Sequence, residues 1–213
     1  MQHYPNYHRA ARLAYRTLIH LKIDKLPIDI LSICSRCKET KVMSFSQAEQ
    51  EFGMPEGYYL ENSPSDSAFT IRRDTDIKKQ YFILYNNDRF YNSVARLRFS
   101  LAHELGHILM QHETGHVFSE MEANCFAQHL LCPAPLVEEM KLEDESGIGQ
   151  LSLFFGVSRS MASIVVKDLN RLLQYVDPDM YQGIRDTFRL ELETDKAMNL
   201  YGNVFSRMVA KLG

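Results

Sequence analysis

Apolar residues recur at helical spacing from about Asn6 to Leu21, at Ala10, Leu13, Ala14, Leu18 and Leu21, and predict a first amphipathic helix. Pro27 opens a second helical stretch to about Lys38, and Lys41 to Phe45 reads as a short strand. After the turn residues Gly53, Pro55 and Gly57, three further strand-like runs, Tyr58–Leu60, Ala68–Arg72 and Gln80–Tyr85, predict a small β-meander. Asn86-Asn87-Asp88 ends it. A long helix is then expected from near Ser93 to near His112, leading into a loop containing Gly115. The segment Ser119–Pro133 places Ala123, Phe126, Ala127, Leu130 and Leu131 on one face and predicts a second buried helix that stops at Pro133.

Beyond that helix, Pro135–Leu142 reads as a short helix and Glu143–Gly147 as an acidic turn. Ile148–Phe155, the turn Gly156-Val157-Ser158, and Arg159–Tyr175 read as helix, tight turn, helix. Asp177-Pro178 begins a last helical region, interrupted at Gly202, that runs towards Leu212. Helices on both sides of a few short strands make the fold class α+β. The expected division is a domain over residues 1–140 and a helical C-terminal region over 141–213, with the helix-turn-helix-like segment at about 147–173.

Composition narrows the class without changing it. In 213 residues, 45% apolar content supplies a core, and a net charge of −3 gives no general attraction to nucleic acid. Residues 1–14 carry Arg9 and Arg12 and no apolar segment, so no secretory signal is expected, and no apolar run reaches the length of a membrane span. A cytoplasmic location follows as the expectation. The four cysteines, Cys34, Cys37, Cys125 and Cys132, are then expected as reduced thiols, and Cys34-x-x-Cys37, lacking a second pair, as ordinary helix cysteines.

The chemistry lies in His103-Glu104-Leu105-Gly106-His107. On a helix the two histidines stand one turn apart on one face, within reach of a single metal ion, while Glu104 flanks them about 100° round the axis. A catalytic zinc needs a third protein ligand and an open position. Glu120, on the next helix, is the candidate, and Asn124, one turn further on the same face, is the group to hold a zinc histidine by its free ring nitrogen. Glu122 is the rival. Two positions on a helix span about 200°, so the two acids cannot both face the metal. With Ser119 as N-cap, Glu122 would fall where a capping box places its Glu. In this reading Zn2+ activates a water, Glu104 is the general base, and the reaction is peptide hydrolysis.

The run Arg98–Leu109, followed by Glu120-Met-Glu-Ala-Asn-Cys-Phe-Ala-Gln-His-Leu-Leu-Cys-Pro133, resembles the ImmA/IrrE family of zinc metallopeptidases. Leu26-Pro-Ile-Asp29 and Tyr81–Asn86 add to the likeness, which spans roughly residues 25–135. The resemblance implies a zincin-like core, a small antiparallel or mixed sheet with the two motif helices, in which His103, His107 and Glu120 bind zinc in a gluzincin-like arrangement. It also implies a regulatory endopeptidase that cleaves a helix-turn-helix repressor of a phage, mobile element or stress regulon. Cys132 stands where the family usually has methionine, away from the zinc ligands.

Other residues invite lesser roles. His112 and His116 follow the metal helix closely and are weighed as transition-state donors or extra ligands against loop histidines, Tyr85 and Arg98 precede it and are weighed as oxyanion stabilisers against a core or surface role, and His129 has the weaker claim. The strand holding Phe69 would bind substrate backbone if it were a sheet edge. The helix-turn-helix-like segment offers Arg159, Lys167 and Arg171 but follows Glu143, Asp144 and Glu145, so packing or substrate docking is favoured over DNA binding. The alternative function is a zinc-dependent transcription regulator or sensor without proteolysis.

Overall fold

The computed structural model describes residues 4–74, 79–90, 92–112, 116–141 and 145–194. The expected Gly115 loop, the start of the acidic turn and the region from Gly202 to Leu212 lie outside them. The described residues form a mixed α+β fold in which a three-stranded sheet lies beside two central helices.

Helix α1 (Tyr7–His20) begins where the Asn6 side chain accepts the Arg9 N–H, and buries Ala10, Ala11, Ala14, Tyr15 and Leu18. Helix α2 (Ile30–Arg36) starts later than Pro27, because the Asp29 side chain caps it by accepting from Ser32. Strand β1 (Thr40–Ser44) runs into helix α3 (Phe45–Phe52) through a capping box made by Ser44 and Gln47. The strand-like run Tyr58–Leu60 is in fact helix α4 (Tyr58–Asn62). Gly57 turns the chain at φ +79°, and the Glu49 carboxylate accepts the Tyr59 N–H at 3.1 Å, so local capping overrides the β preference of the tyrosines.

Strands β2 (Ala68–Asp74) and β3 (Lys79–Tyr85) pair antiparallel, with Thr70 opposite Ile83. The order is β1-β3-β2, and β1 runs parallel to β3 with Val42 opposite Ile83. The expected meander is therefore corrected: parallel pairing needs a long connection, which runs from β1 through α3, α4 and the outer strand β2 before β3. Central strand β3 alternates its faces, Ile83 entering the main core and Phe82 and Leu84 a second cluster with Phe45 and Tyr59. Among the described residues β2 is an edge strand.

Helix α5 (Val94–Met110), capped by Ser93, packs along α6 (Val117–Leu131), and α1 covers α6 from another side. The helices meet closely at Gly106, where a Cβ would stand 3.0 Å from the Phe126 ring and 3.3 Å from the Ala123 backbone. That approach sets Glu120 within reach of the α5 histidines. Helix α7 (Ala134–Met140) follows, then α8 (Glu145–Phe155) and α9 (Arg159–Lys167), whose axes bend by 115° at Gly156-Val157-Ser158, as a helix-turn-helix does. The expected long helix to Tyr175 breaks at Asp168, leaving α10 (Leu169–Leu173) as a separate turn before α11 (Pro178–Thr187). The Arg98 guanidinium donates to Gly156 O at 2.9 Å and Phe155 O at 3.2 Å, tying α5 to the C-terminus of α8. No single helix among the described residues is long and apolar enough to cross a membrane.

His129 belongs to the core. The Tyr15 hydroxyl is hydrogen-bonded with His129 Nδ1 at 2.7 Å and accepts from the Ala134 N–H at 3.2 Å, and burial pulls the His129 pKa down from 6.5 to about 3. The unfolded chain binds this proton more readily, so the stability from a neutral His129 is full above about 6.5 and is lost as pH falls towards about 3. Urea unfolding of wild type and His129→Gln at pH 4 to 7 is expected to show wild type losing up to about 1.4 kcal/mol more per pH unit on acidification. Parallel curves would contradict this.

All four cysteines are free thiols, and burial pushes Cys34, Cys37, Cys125 and Cys132 up, Cys125 to about 12. A buried, protonated thiol is a poor nucleophile or ligand.

Candidate metal centre

Three donors converge where α5 faces the first turns of α6. His107 Nε2 lies 2.9 Å from His103 Nε2, and Glu120 reaches both, with Oε2 3.2 Å from His103 and Oε1 3.4 Å from His107. Ligand atoms around tetrahedral zinc with bonds of about 2.0–2.1 Å stand roughly 3.3 Å apart, so the donor set fits one such ion. Among the described residues, His103, His107 and Glu120 are the group that could hold a metal. Glu120 is exposed and the histidines partly buried, so the cluster opens to solvent on the α6 side.

Each histidine is oriented through its other nitrogen. His103 Nδ1 lies 2.9 Å from Asn124 Oδ1, so its N–H donates there and Nε2 presents a lone pair to the cluster. His107 Nδ1 lies 3.0 Å from His112 Nδ1, and His112 Nε2 lies 2.8 Å from Glu122 Oε2. The Asn6 N–H donates to Glu122 Oε1 at 2.6 Å. A consistent set of donors runs His107 N–H to His112, His112 N–H to Glu122, with the chain before α1 closing the other carboxylate oxygen. Burial lowers the His107 pKa to about 4, followed by the effect of neighbouring His103, which keeps the ring in its neutral, metal-binding form.

This chain of contacts revises the argument about the two acids. The α6 N-cap is His116, whose Nδ1 accepts from the Phe118 N–H at 3.3 Å, and not Ser119. Glu122 is thus in no capping box. It is drawn off the cluster by His112 and Asn6, and only Glu120 faces the two histidines.

Glu104 sits beside the cluster, pinned from the sheet. The Thr70 hydroxyl on β2 donates to Glu104 Oε2 at 2.7 Å. Burial raises the Glu104 pKa from the usual carboxylate range, and Thr70, through hydroxyl and backbone, opposes it, as does His103. Thr70, His112 and Glu122 are the site's neighbours that the sequence pattern assigns elsewhere or passes over. The HELGH spacing could not find Thr70, a tertiary contact between residues 34 apart. Of the other candidates, His116 caps α6, Arg98 holds the end of α8, and Tyr85 packs against the core at the end of β3.

A family model described as the IrrE N-terminal-like domain, of a peptidase family, matches residues 61–166, which span β2, β3 and α5 to α9 nearly to its end. No curated protein matches the chain.

Proposed function

We propose that this chain, which belongs to the ImmA/IrrE family through its IrrE N-terminal-like domain, is a zinc endopeptidase that acts in the cytoplasm on a helix-turn-helix repressor. The observation that carries the reading is the convergence of His103, His107 and Glu120 beside a carboxylate, Glu104, held by the neighbouring edge strand. Zinc held by these three residues would supply Lewis acidity towards a water and a peptide carbonyl. Glu104 takes a proton from the attacking water onto its carboxylate and returns it to the leaving amine. Asn124 and His112 keep the two imidazoles aimed inward. Strand β2 is the outer strand beside Glu104 in the described sheet, and on that side an extended substrate segment can pair as an added strand. Incubating the zinc-loaded protein with candidate helix-turn-helix repressors from the same genome, with and without chelator, tests the reading. Fragments that appear only with metal support it; an intact repressor under all conditions contradicts it.

The chain from His112 to Glu122 makes a separate prediction. Glu122→Ala removes the acceptor that fixes His112 against His107, and zinc affinity is expected to fall about 10- to 100-fold. Glu122→Gln, which can still accept from His112, is expected to recover much of the loss. Competition with a chromophoric chelator measures both, and an unchanged Kd for Glu122→Ala would refute the role.

A further inference from the structure

Two side-chain stripes lead away from the metal centre along the seam between α5 and α6. On α5, Ala95 and Phe99 precede His103 at intervals of four, and on α6, Asn124 and Gln128 follow Glu120 at the same interval, so each stripe continues the line of a metal-site residue. The Phe99 ring centroid lies 6.4 Å from that of His103, and Asn124 is itself bonded to His103. Over these stripes lies a mostly apolar cavity of about 520 Å³, closed on its far side by Ser160, Met161 and Ile164 of α9. A smaller cavity of about 200 Å³ shares Asn124 and Gln128 and extends towards Arg171 and Tyr175. The larger volume falls in the range of sites that enclose a ligand. Ile164 is 51% exposed although it faces this space.

The helix that walls the cavity is the second of the helix-turn-helix-like pair, the one that in a DNA reader would enter the major groove. Its face towards the cavity is uncharged. The arginine on the cavity rim, Arg96, is already paired with Asp66 at 2.6 Å, and Arg171 is paired with Asp168. Reading a duplex needs phosphate contacts from cations, and Arg159 and Lys167 of α9 do not line this space, whereas apolar walls that reach the metal centre through Phe99 and Asn124, the neighbours of His103, suit an apolar side chain near a scissile bond.

We propose that this trough is the subsite for a large apolar side chain of the protein substrate, Leu, Met or Phe in size, and that α9 serves substrate recognition and not DNA reading. The proposal rests on the metallopeptidase reading of the adjoining centre and adds to it the class of residue selected.

The test uses the zinc-loaded full chain, acetohydroxamate as a probe that reaches only the metal, and short peptide hydroxamates, with the chelating group at either end, in which Leu replaces Ala at one position at a time. Affinities are read by calorimetry for wild type, for Ser160→Trp, which fills the cavity from an exposed position, and for Ile164→Ser. Unchanged thermal unfolding shows that each variant folds. At one position or more, Leu is expected to bind wild type about tenfold or more tightly than Ala, as burial of its extra methylenes implies. In both variants the gain is expected to shrink to about threefold or less. Absence of any Leu preference, or a preference that persists in both variants while acetohydroxamate still binds, overturns the subsite and leaves the metallopeptidase reading standing. Failure of acetohydroxamate to bind the zinc-loaded chain removes that reading and the subsite with it. Duplex DNA that competes with the Leu hydroxamate would assign the α9 face to nucleic acid and overturn the proposal.

Discussion

Glu104→Gln is expected to cut the rate of repressor cleavage by a factor of about 10²–10⁴ or more while leaving metal content and fold intact. The amide has the size and shape of the carboxylate and can still accept the hydrogen bond that Thr70 donates at 2.7 Å. It cannot take a proton from water. The loss should therefore fall on kcat, with zinc per chain and thermal unfolding unchanged, and mass analysis of fragments beside metal emission measures both. Cleavage at the wild-type rate would mean that Glu104 is not the base and that the peptidase reading fails at its chemical step.

Glu120→Ala carries the second large effect. It removes the one carboxylate whose oxygens stand 3.2 and 3.4 Å from the two histidine nitrogens, leaving two imidazoles to hold the metal. The loss of zinc affinity should exceed the roughly 10- to 100-fold expected for an outer partner such as Glu122. The pair is informative because the side chains are two positions apart and equally acidic. Chelator competition on Glu120→Ala and Glu122→Ala side by side is expected to rank Glu120 as the heavier loss. The reverse order would exchange their roles and require Glu122 to leave His112.

The parts of this site legible in the sequence were those set by helical periodicity. His103 and His107 are one turn apart, Glu120 and Asn124 are one turn apart, and the packing of α5 along α6 faces the pairs towards each other. The strand-like character of Ala68–Arg72 and Gln80–Tyr85 was equally local, and both runs are strands. What failed depended on contacts distant in sequence or on capping. The parallel partnership of β1 and β3 leaves no mark on either strand's own pattern. Tyr58 and Tyr59 look like strand residues, but Gly57 and the Glu49 carboxylate start a helix there. Glu122 is a capping residue only if Ser119 is the cap; His116 takes that position, and Glu122 instead receives His112 and the backbone of Asn6, 116 residues away. Thr70, held against Glu104 across the sheet-helix junction, left no signal in the HELGH motif itself. The helix-turn-helix geometry was legible at Gly156-Val157-Ser158, yet the direction in which α9 faces became visible only once the α5–α6 seam was in place.

The central claim is that His103, His107 and Glu120 form a single zinc site that drives hydrolysis. Zinc titration of the purified metal-free chain, with repressor cleavage followed at each addition, tests it most directly when wild type is set beside Glu120→Ala. One zinc per wild-type chain, with cleavage rising in step and saturating at that ratio, and neither binding nor cleavage in the variant at the same concentrations, is the predicted result. Cleavage that proceeds without zinc, or a Glu120→Ala chain that binds and cleaves as wild type does, would contradict it.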